Sequence, residues 1–462
     1  MKFKETIKIS SPYFKRMVFI AIPIMIQNGI TNFVSMLDNI MVGRVGTLQM
    51  TGVSIVNQLI FVFGLCIFGA MSGAGIFTAQ FYGKKDKDGI RSTLQYKLAA
   101  SLLLAVAGTV IFTLAGETLI SFYLQGEGSP EDVAAVMNYG KSYLRIMIVG
   151  TVPFALSQAY ASTMRETSDR LTPMVATVSA VLVNLIFNYL LIFGKFGFPE
   201  LGVDGAAIAT TLSRFVELGI LVIRAHTNKK KYNFIPGLFT KFTITKAQVW
   251  KITLVTIPLL LNETLWAAGI AVLNQCYSTR GLDVVAAINI VSTLSNVFNV
   301  AFIAFGHATG IILSQMLGAN EKKQAKFAAP KLFAFSFFTV ILISLFMMVV
   351  AQFFPKIYNT DDTVRNIATS LITVAAIFMP VQAGTNAGYF TLRSGGKTLI
   401  TFLFDCGFVW IINIPLAFVL SRFTDMGIIY LYACVLSTDV VKCILSFILV
   451  KKGVWLNNVV DD

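Results

Sequence analysis

The sequence predicts an all-α membrane protein: twelve transmembrane helices in two six-helix lobes, related by a pseudo-two-fold axis along the membrane normal. Three observations predict it: the composition, the succession of apolar runs, and an internal repeat. Of 462 residues, 56% are hydrophobic and only 13% charged, with a mean hydropathy of +0.73; soluble domains carry roughly 45–50% apolar and about 25% charged residues. A water-soluble globule is excluded. At about 20 residues per span, the membrane segments leave only short loops and no room for a soluble catalytic domain.

The first apolar run covers 17–42 and follows a polar, lysine-rich stretch from Met1 to Arg16. It is too long for a signal-peptide core and lacks a convincing cleavage site, so it is expected to stay as the first span. Runs at 51–80, 94–120, 136–162, 172–194 and 205–224 complete six spans, and runs at 252–278, 285–316, 331–354, 367–391, 399–420 and 427–450 supply six more. The expected domains are therefore an N-lobe at 1–224, a basic cytoplasmic linker at 225–251 and a C-lobe at 252–462. Several runs exceed what a bilayer needs, which predicts tilt or protruding ends. Prolines at 23, 153, 258, 380 and 415 mark expected kinks.

A net charge of +14 would suggest nucleic acid in a soluble protein, but here the 37 Lys and Arg report topology. With both termini cytoplasmic, 27 of the 37 fall on the inner side and eight on the outer. The five cysteines all lie in apolar runs, without metal-type spacing and with an odd one over, so neither a disulfide framework nor a zinc site is expected.

A shift of 235 residues lays the start of the chain on its second half without a gap: Pro23 on Pro258, Asn39 on Asn274, Gly46 on Gly281, Gly75-Ile76 on Gly310-Ile311, Gln80 on Gln315 and Gly83 on Gly318. The polar matches exceed what shared hydrophobicity supplies. Six spans between equivalent positions give the halves the same orientation, as in parallel-repeat transporters. Two such lobes can open a central cavity to either side in turn, so transport is the default reading. Ser394-Gly395-Gly396-Lys397-Thr398 ends like a phosphate-binding loop, but Thr391 stands where the first glycine belongs and no strand precedes it. ATP is not expected to drive the protein.

At this level the residues resemble a known family. Ile22-Pro23 with Asp38-Asn39-Ile40-Met41-Val42-Gly43-Arg44-Val45-Gly46 looks like the first-helix signature of the multidrug and toxic compound extrusion (MATE) family. Supporting matches are Gln80-Phe81-Tyr82-Gly83, the stretch from Pro199 to Thr210, Gln315-Met316-Leu317-Gly318-Ala319, Arg393-Ser394-Gly395-Gly396 and Ile414-Pro415-Leu416-Ala417. The branch most similar is the DinF-like one. The resemblance implies a secondary active antiporter that exports organic, often cationic, compounds in exchange for H⁺ or Na⁺ by alternating access.

A carboxylate in hydrocarbon costs at least a few kcal/mol and needs a cavity, a partner or a proton. Five acidic residues fall within the runs: Asp38, Glu217, Glu263, Asp405 and Asp439. Helical rise sets Asp38 roughly 9 Å below the outer end of its span, with Asn188 and Thr210 at about the same depth and Asn184 one turn deeper. Carboxylate, amide and hydroxyl oxygens at one depth suit a hard monovalent cation or a proton-binding carboxylate. Asp38, Asn184, Asn188 and Thr210 are the expected coupling site, with Asp38, Asn184 and Asn188 as ligands if the ion is Na⁺. The set resembles the family's N-lobe cation site, except that many members have a second aspartate where Asn188 stands. The bland alternative makes Asp38 a solvated carboxylate near the interface.

Glu263, roughly 18 Å along its span from Lys251, sits near mid-membrane. It is expected to bind a cationic substrate or carry a proton, unless it is a structural carboxylate hydrogen-bonded to Asn262 or to a neighbouring helix. His307 and Asp405 could join it in a C-lobe site, histidine because its pKa near 6.5 suits proton coupling. Glu217 and Asp439 each have a basic residue three positions away, Arg214 and Lys442, and are expected to form structural pairs. No cofactor is expected beyond the coupling ion, and no enzymatic activity. The expected partners are small organic molecules and the lipid bilayer, with no nucleic acid, for a monomer in the plasma membrane. Rival readings are a lipid-linked precursor flippase of the same superfamily and, from another class, a membrane-embedded enzyme.

Overall fold

The computed structural model describes residues 12–124, 129–242, 244–358 and 360–461; the lysine-rich stretch before residue 12 lies outside them. Among the described residues no strand occurs, and the chain is a succession of long helices. They are α1 Pro12–Gly43, α2 Thr47–Lys84, α3 Lys87–Tyr123, α4 Pro130–Val149, α5 Thr151–Glu166, α6 Leu171–Ile192 and α7 Gly202–Thr227, then α8 Lys246–Ser278, α9 Leu282–Gly318, α10 Lys322–Ala351, α11 Asp362–Ser394, α12 Thr398–Phe423 and α13 Ile428–Lys452. Eleven are long and apolar enough to cross a membrane, and the bent pair α4 and α5 makes a twelfth. The predicted fold class is the observed one.

Most helices run past the apolar stretches that predict them. Apolarity ends where the membrane does, but the i to i+4 ladder continues until something breaks it. α13 shows the device: Gly453 is left-handed at φ 77° and its N–H closes onto Leu449 and Val450 carbonyls at 3.2 and 3.1 Å, a turn that favours glycine. α4 begins where Ser129 accepts from the Asp132 N–H at 3.2 Å, with Pro130 occupying the first turn. The 46° bend between α4 and α5 falls at Gly150. Pro153 has no N–H to offer the carbonyl four residues back, so the ladder is already interrupted there. Pro23, Pro258 and Pro380 lie inside continuous helices. In α12 the turns Leu403–Gly407 and Val409–Asn413 are π-helical, and Pro415 opens the α-helical segment that follows.

By contacts the chain divides into two compact units. One comprises Ile26–Thr78 and Lys87–Thr253, the other Met1–Met25, Ala79–Asp86 and Leu254–Asp462. In the first, the segment after α7 is packed rather than loose. Tyr232, Phe234, Ile235 and Leu238 are buried. Arg91 of α3 donates to the Phe234 carbonyl at 3.1 Å, and Gln95 donates to the Leu238 and Lys241 carbonyls, each at 2.8 Å. Asp169, in the turn before α6, takes Lys231 at 2.8 Å and the Tyr232 hydroxyl. Burial by itself raises the Asp169 carboxyl, but these bonds and those from Thr172 hold it below the usual carboxylate range. The second unit carries its own terminal plug. Trp455 is fully buried, and Gln80 receives the Val459 N–H at 2.8 Å while donating to the Ser394 carbonyl at 3.0 Å. Here the repeat becomes physical contact, because Gly83 backs onto the Gln315 carbonyl and its equivalent Gly318 onto that of Gln80. A side chain at either glycine would collide with backbone.

Candidate functional site

In the unit containing Ile26–Thr78 and Lys87–Thr253, α6 is apolar except for a few hydroxyls and for Asn184 and Asn188, which share one face and are both buried. That face meets Asp38 of α1 and Thr210 of α7. Asn188 donates to Asp38 Oδ1 at 2.6 Å, and the amide of Asn184 bridges to Thr210 Oγ1 at 3.1 Å. The four residues gathered by depth and helix face are thus neighbours. The nearest amide atom of Asn184 is 3.1 and 3.0 Å from the two Asp38 oxygens. With NH₂ in that place, Asn184 donates to the carboxylate and accepts from Thr210 at 3.1 Å. With the oxygen there, it accepts from Asn188 at 3.2 Å, and two oxygens face one another unless a proton or cation lies between them. Among the described residues, Asn188 Oδ1 is a buried acceptor without a hydrogen bond. No basic side chain pairs with Asp38 among the described residues. Beside the site, Tyr143 donates to Asn57 at 3.2 Å, and Ser142 to Asp204 at 2.6 Å.

The C-terminal carboxylates have a different setting. Asn262 of α8 donates to Asp405 Oδ2 of α12 at 3.1 Å and to the Tyr389 hydroxyl of α11 at 3.3 Å. That hydroxyl donates to Glu263 at 3.4 Å and receives Arg393 at 3.5 Å. Asp405 is also ion-paired with Lys442 of α13. Glu263 and Asp405 therefore belong to one network, Arg393 to Tyr389 to Asn262 to Asp405 to Lys442, fed by three helices and by a π-helical stretch of a fourth. The π turn adds a residue and rotates the side chains that follow. His307 lies against the Phe390 ring, centroids 4.6 Å apart, and Phe390 in turn packs edge-on to Tyr389 at 5.2 Å.

Two sequence expectations are corrected. Lys442 pairs with Asp405, while Asp439 is held by Gln382 at 3.4 Å. Arg214 lies over the Phe154 ring at 4.5 Å, and Glu217 accepts instead from Thr177 at 2.7 Å. Spacing of three puts opposite charges on one helical face, but a partner on the next helix can outcompete it. Counting charges by loop also misses polar groups that pack inside. Lys97 is fully buried and bonds Glu166, Ser162 at 3.1 Å and Thr163 at 3.2 Å; Arg393 is 6% exposed. The signal for Arg393 is Tyr389, four residues back on the same face.

Comparison with known proteins agrees with this architecture. The chain is 23% identical over 444 residues to the probable multidrug resistance protein NorM of Thermotoga maritima, covering 96% of this chain and 93% of that protein. It is 24% identical over 430 residues to the probable multidrug resistance protein YoeA of Bacillus subtilis, covering 92% and 90%. An outward-facing multidrug resistance MATE family transporter of the MOP superfamily superposes with a TM-score of 0.86 at 18% identity over 95% of both chains. A MATE structure in the bent conformation gives 0.85 at 18% identity over 96% of both. The MatE family model matches residues 23–190 and 258–419. Those two matched stretches are the two copies of the repeat, and this chain belongs to the MatE family.

Proposed function

We propose that this protein is a secondary active antiporter of the plasma membrane that expels organic, often cationic, compounds in exchange for H⁺ or Na⁺ by alternating access. The moving bodies are the lobes 1–224 and 252–462 joined by 225–251; both termini face the cytoplasm, and one copy of the chain suffices. The observation that carries the reading is Asp38: a carboxylate within a span, surrounded by amides and a hydroxyl, with an unbonded acceptor on Asn188 beside it. Such a group is neutralised by a proton or by a cation held on oxygen ligands.

In this mechanism Asp38, Asn184, Asn188 and Thr210 take the coupling ion when the site faces outside. The Asn184 amide, placed between Asp38 and Thr210, donates to the bare carboxylate. Loading removes a charge from the seam of α1, α6 and α7, and that change of charge favours the state in which the ion is released inward. Glu263, Asp405 and His307 are assigned to holding the substrate or a second proton. The relatives named multidrug resistance proteins support the substrate class. The test is efflux from vesicles under an imposed Na⁺ gradient and then an imposed pH gradient, in wild type and Asp38→Asn. Efflux driven by one gradient in the wild type and by neither in the variant is expected; undiminished efflux in the variant sinks the assignment.

A further inference from the structure

Glu217 is not used by the mechanism above, and its surroundings are unusual for a structural acid. It is 5% exposed, lies within the span α7, and forms no ion pair within 4 Å among the described residues. Thr177 of α6 donates to Oε1 at 2.7 Å, and Gln27 of α1 donates to Thr177 Oγ1 at 2.9 Å. An ionised carboxylate offers about four acceptor positions; among the described residues Glu217 accepts one hydrogen bond, at Oε1. One hydroxyl does not compensate an anion withdrawn from water.

The same three helices that build the Asp38 site build this one. Gln27 and Asp38 are eleven residues apart on α1, Thr177 and Asn184 seven apart on α6, and Thr210 and Glu217 seven apart on α7. Seven and eleven are the separations at which a helix returns to nearly the same face. The result is two polar layers on one seam, displaced by roughly 10 to 16 Å along the helices toward the end that carries the segment 228–242. Each layer has one carboxylate with amide and hydroxyl partners. Between them, on the same faces, stand Val34, Ala180 and Ser213, all small, and Ser213 donates to the Thr210 carbonyl at 2.7 Å.

We infer that Glu217, Thr177 and Gln27 form a second binding station for the coupling cation, a proton or a monovalent metal ion on oxygen ligands, passed on from Asp38. The inference rests on the reading that the Asp38 site takes such an ion. The other charges nearby are Arg165 at the end of α5, whose field reaches Glu217, and Arg214 one turn away on α7, which is turned to Phe154. Both are cations. Arg165 weakens an ion held at Glu217, which suits a station from which the ion departs.

The test counts ions per chain at saturation in the full-length protein in detergent, with radioactive Na⁺ in one arm and proton uptake from a weakly buffered indicator solution in the other. In whichever arm binds, taken as the excess over the double variant, which subtracts every other titrating or binding group, wild type is expected to hold two, and Glu217→Gln and Asp38→Asn one each. Glu217→Gln still holding two overturns this inference and leaves the Asp38 reading intact. Asp38→Asn still holding two overturns the Asp38 reading and, with it, the passage of the ion from Asp38 to Glu217. Should Glu217→Gln fail to fold, Thr177→Val removes one ligand without touching a charge. It is expected to weaken the inner station about tenfold, a change of about 1.4 kcal/mol; unchanged affinity in Thr177→Val overturns the inference equally.

Discussion

The two carboxylate sites solve the same problem in opposite ways. Among the described residues Asp38 has neutral partners alone, Asn184, Asn188 and, through Asn184, Thr210. Asp405 brings its own cation in Lys442, and Glu263 reaches Arg393 through the Tyr389 hydroxyl. A site lacking a built-in counter-charge must take one from solution, whereas a site with one is already balanced and holds its shape without a guest. The difference supports the proposal that the mobile ion binds at the first site, while the second already carries its own counter-charges.

The comparison can be broken most sharply at Asp38. Asp38→Asn is expected to reduce gradient-driven efflux to background while leaving the melting temperature in detergent unchanged, because amide and carboxylate fill the same space. If thermal stability collapses instead, Asp38 is structural.

Next in size is Lys442→Met. Lys442 is 7% exposed and Asp405 20%, and removing one partner of a buried pair costs about 3 to 5 kcal/mol. A drop in melting temperature is expected, largely recovered when Asp405→Asn is added. Equal losses in single and double variants would mean that Lys442 acts through its aliphatic stem alone.

Asn188→Asp adds the second carboxylate that many family members carry. One more negative charge near Asp38 is expected to tighten monovalent cation binding by roughly tenfold, read by Na⁺ titration or by the midpoint of proton uptake. Weaker binding would show that the amide hydrogen of Asn188, not its neighbourhood, is what Asp38 needs.

The smallest effect concerns Asp169. Its folded-state carboxyl sits below the ordinary value because of Lys231, Tyr232 and Thr172. Its contribution is therefore complete above the ordinary carboxylate range and lost as pH falls through the lowered folded value. Hydrogen exchange across 228–240 is expected to accelerate at that acid end only, and to become insensitive to pH there in Asp169→Asn.

Much of the first site is legible in the sequence alone. A helix advances by a fixed rise, so sequence position is depth; depth gathers Asp38, Asn188 and Thr210, and the four-residue spacing adds Asn184 on the face of Asn188. The repeat is legible because Gln80 and Gln315, or Gly83 and Gly318, answer to contacts that no hydrophobic pattern requires. The network around Glu263 is not, since Tyr389, Asn262 and Lys442 are joined across four helices whose rotations sequence does not specify. Spacing along α7 makes Arg214 the partner of Glu217, whereas each of them faces a different neighbour.

The sequence by itself determined the solvent in which the chain lives, the number of spans, their duplicated order and the depth of each charge, because hydrophobicity and helical rise are properties of the local chain. Only the tertiary structure decided which charges meet. That depends on how each helix is rotated about its axis, and rotation is set by packing among helices: by glycines that admit a neighbouring backbone, by a π-helical turn that shifts the register of α12, and by which of two partners lies within reach.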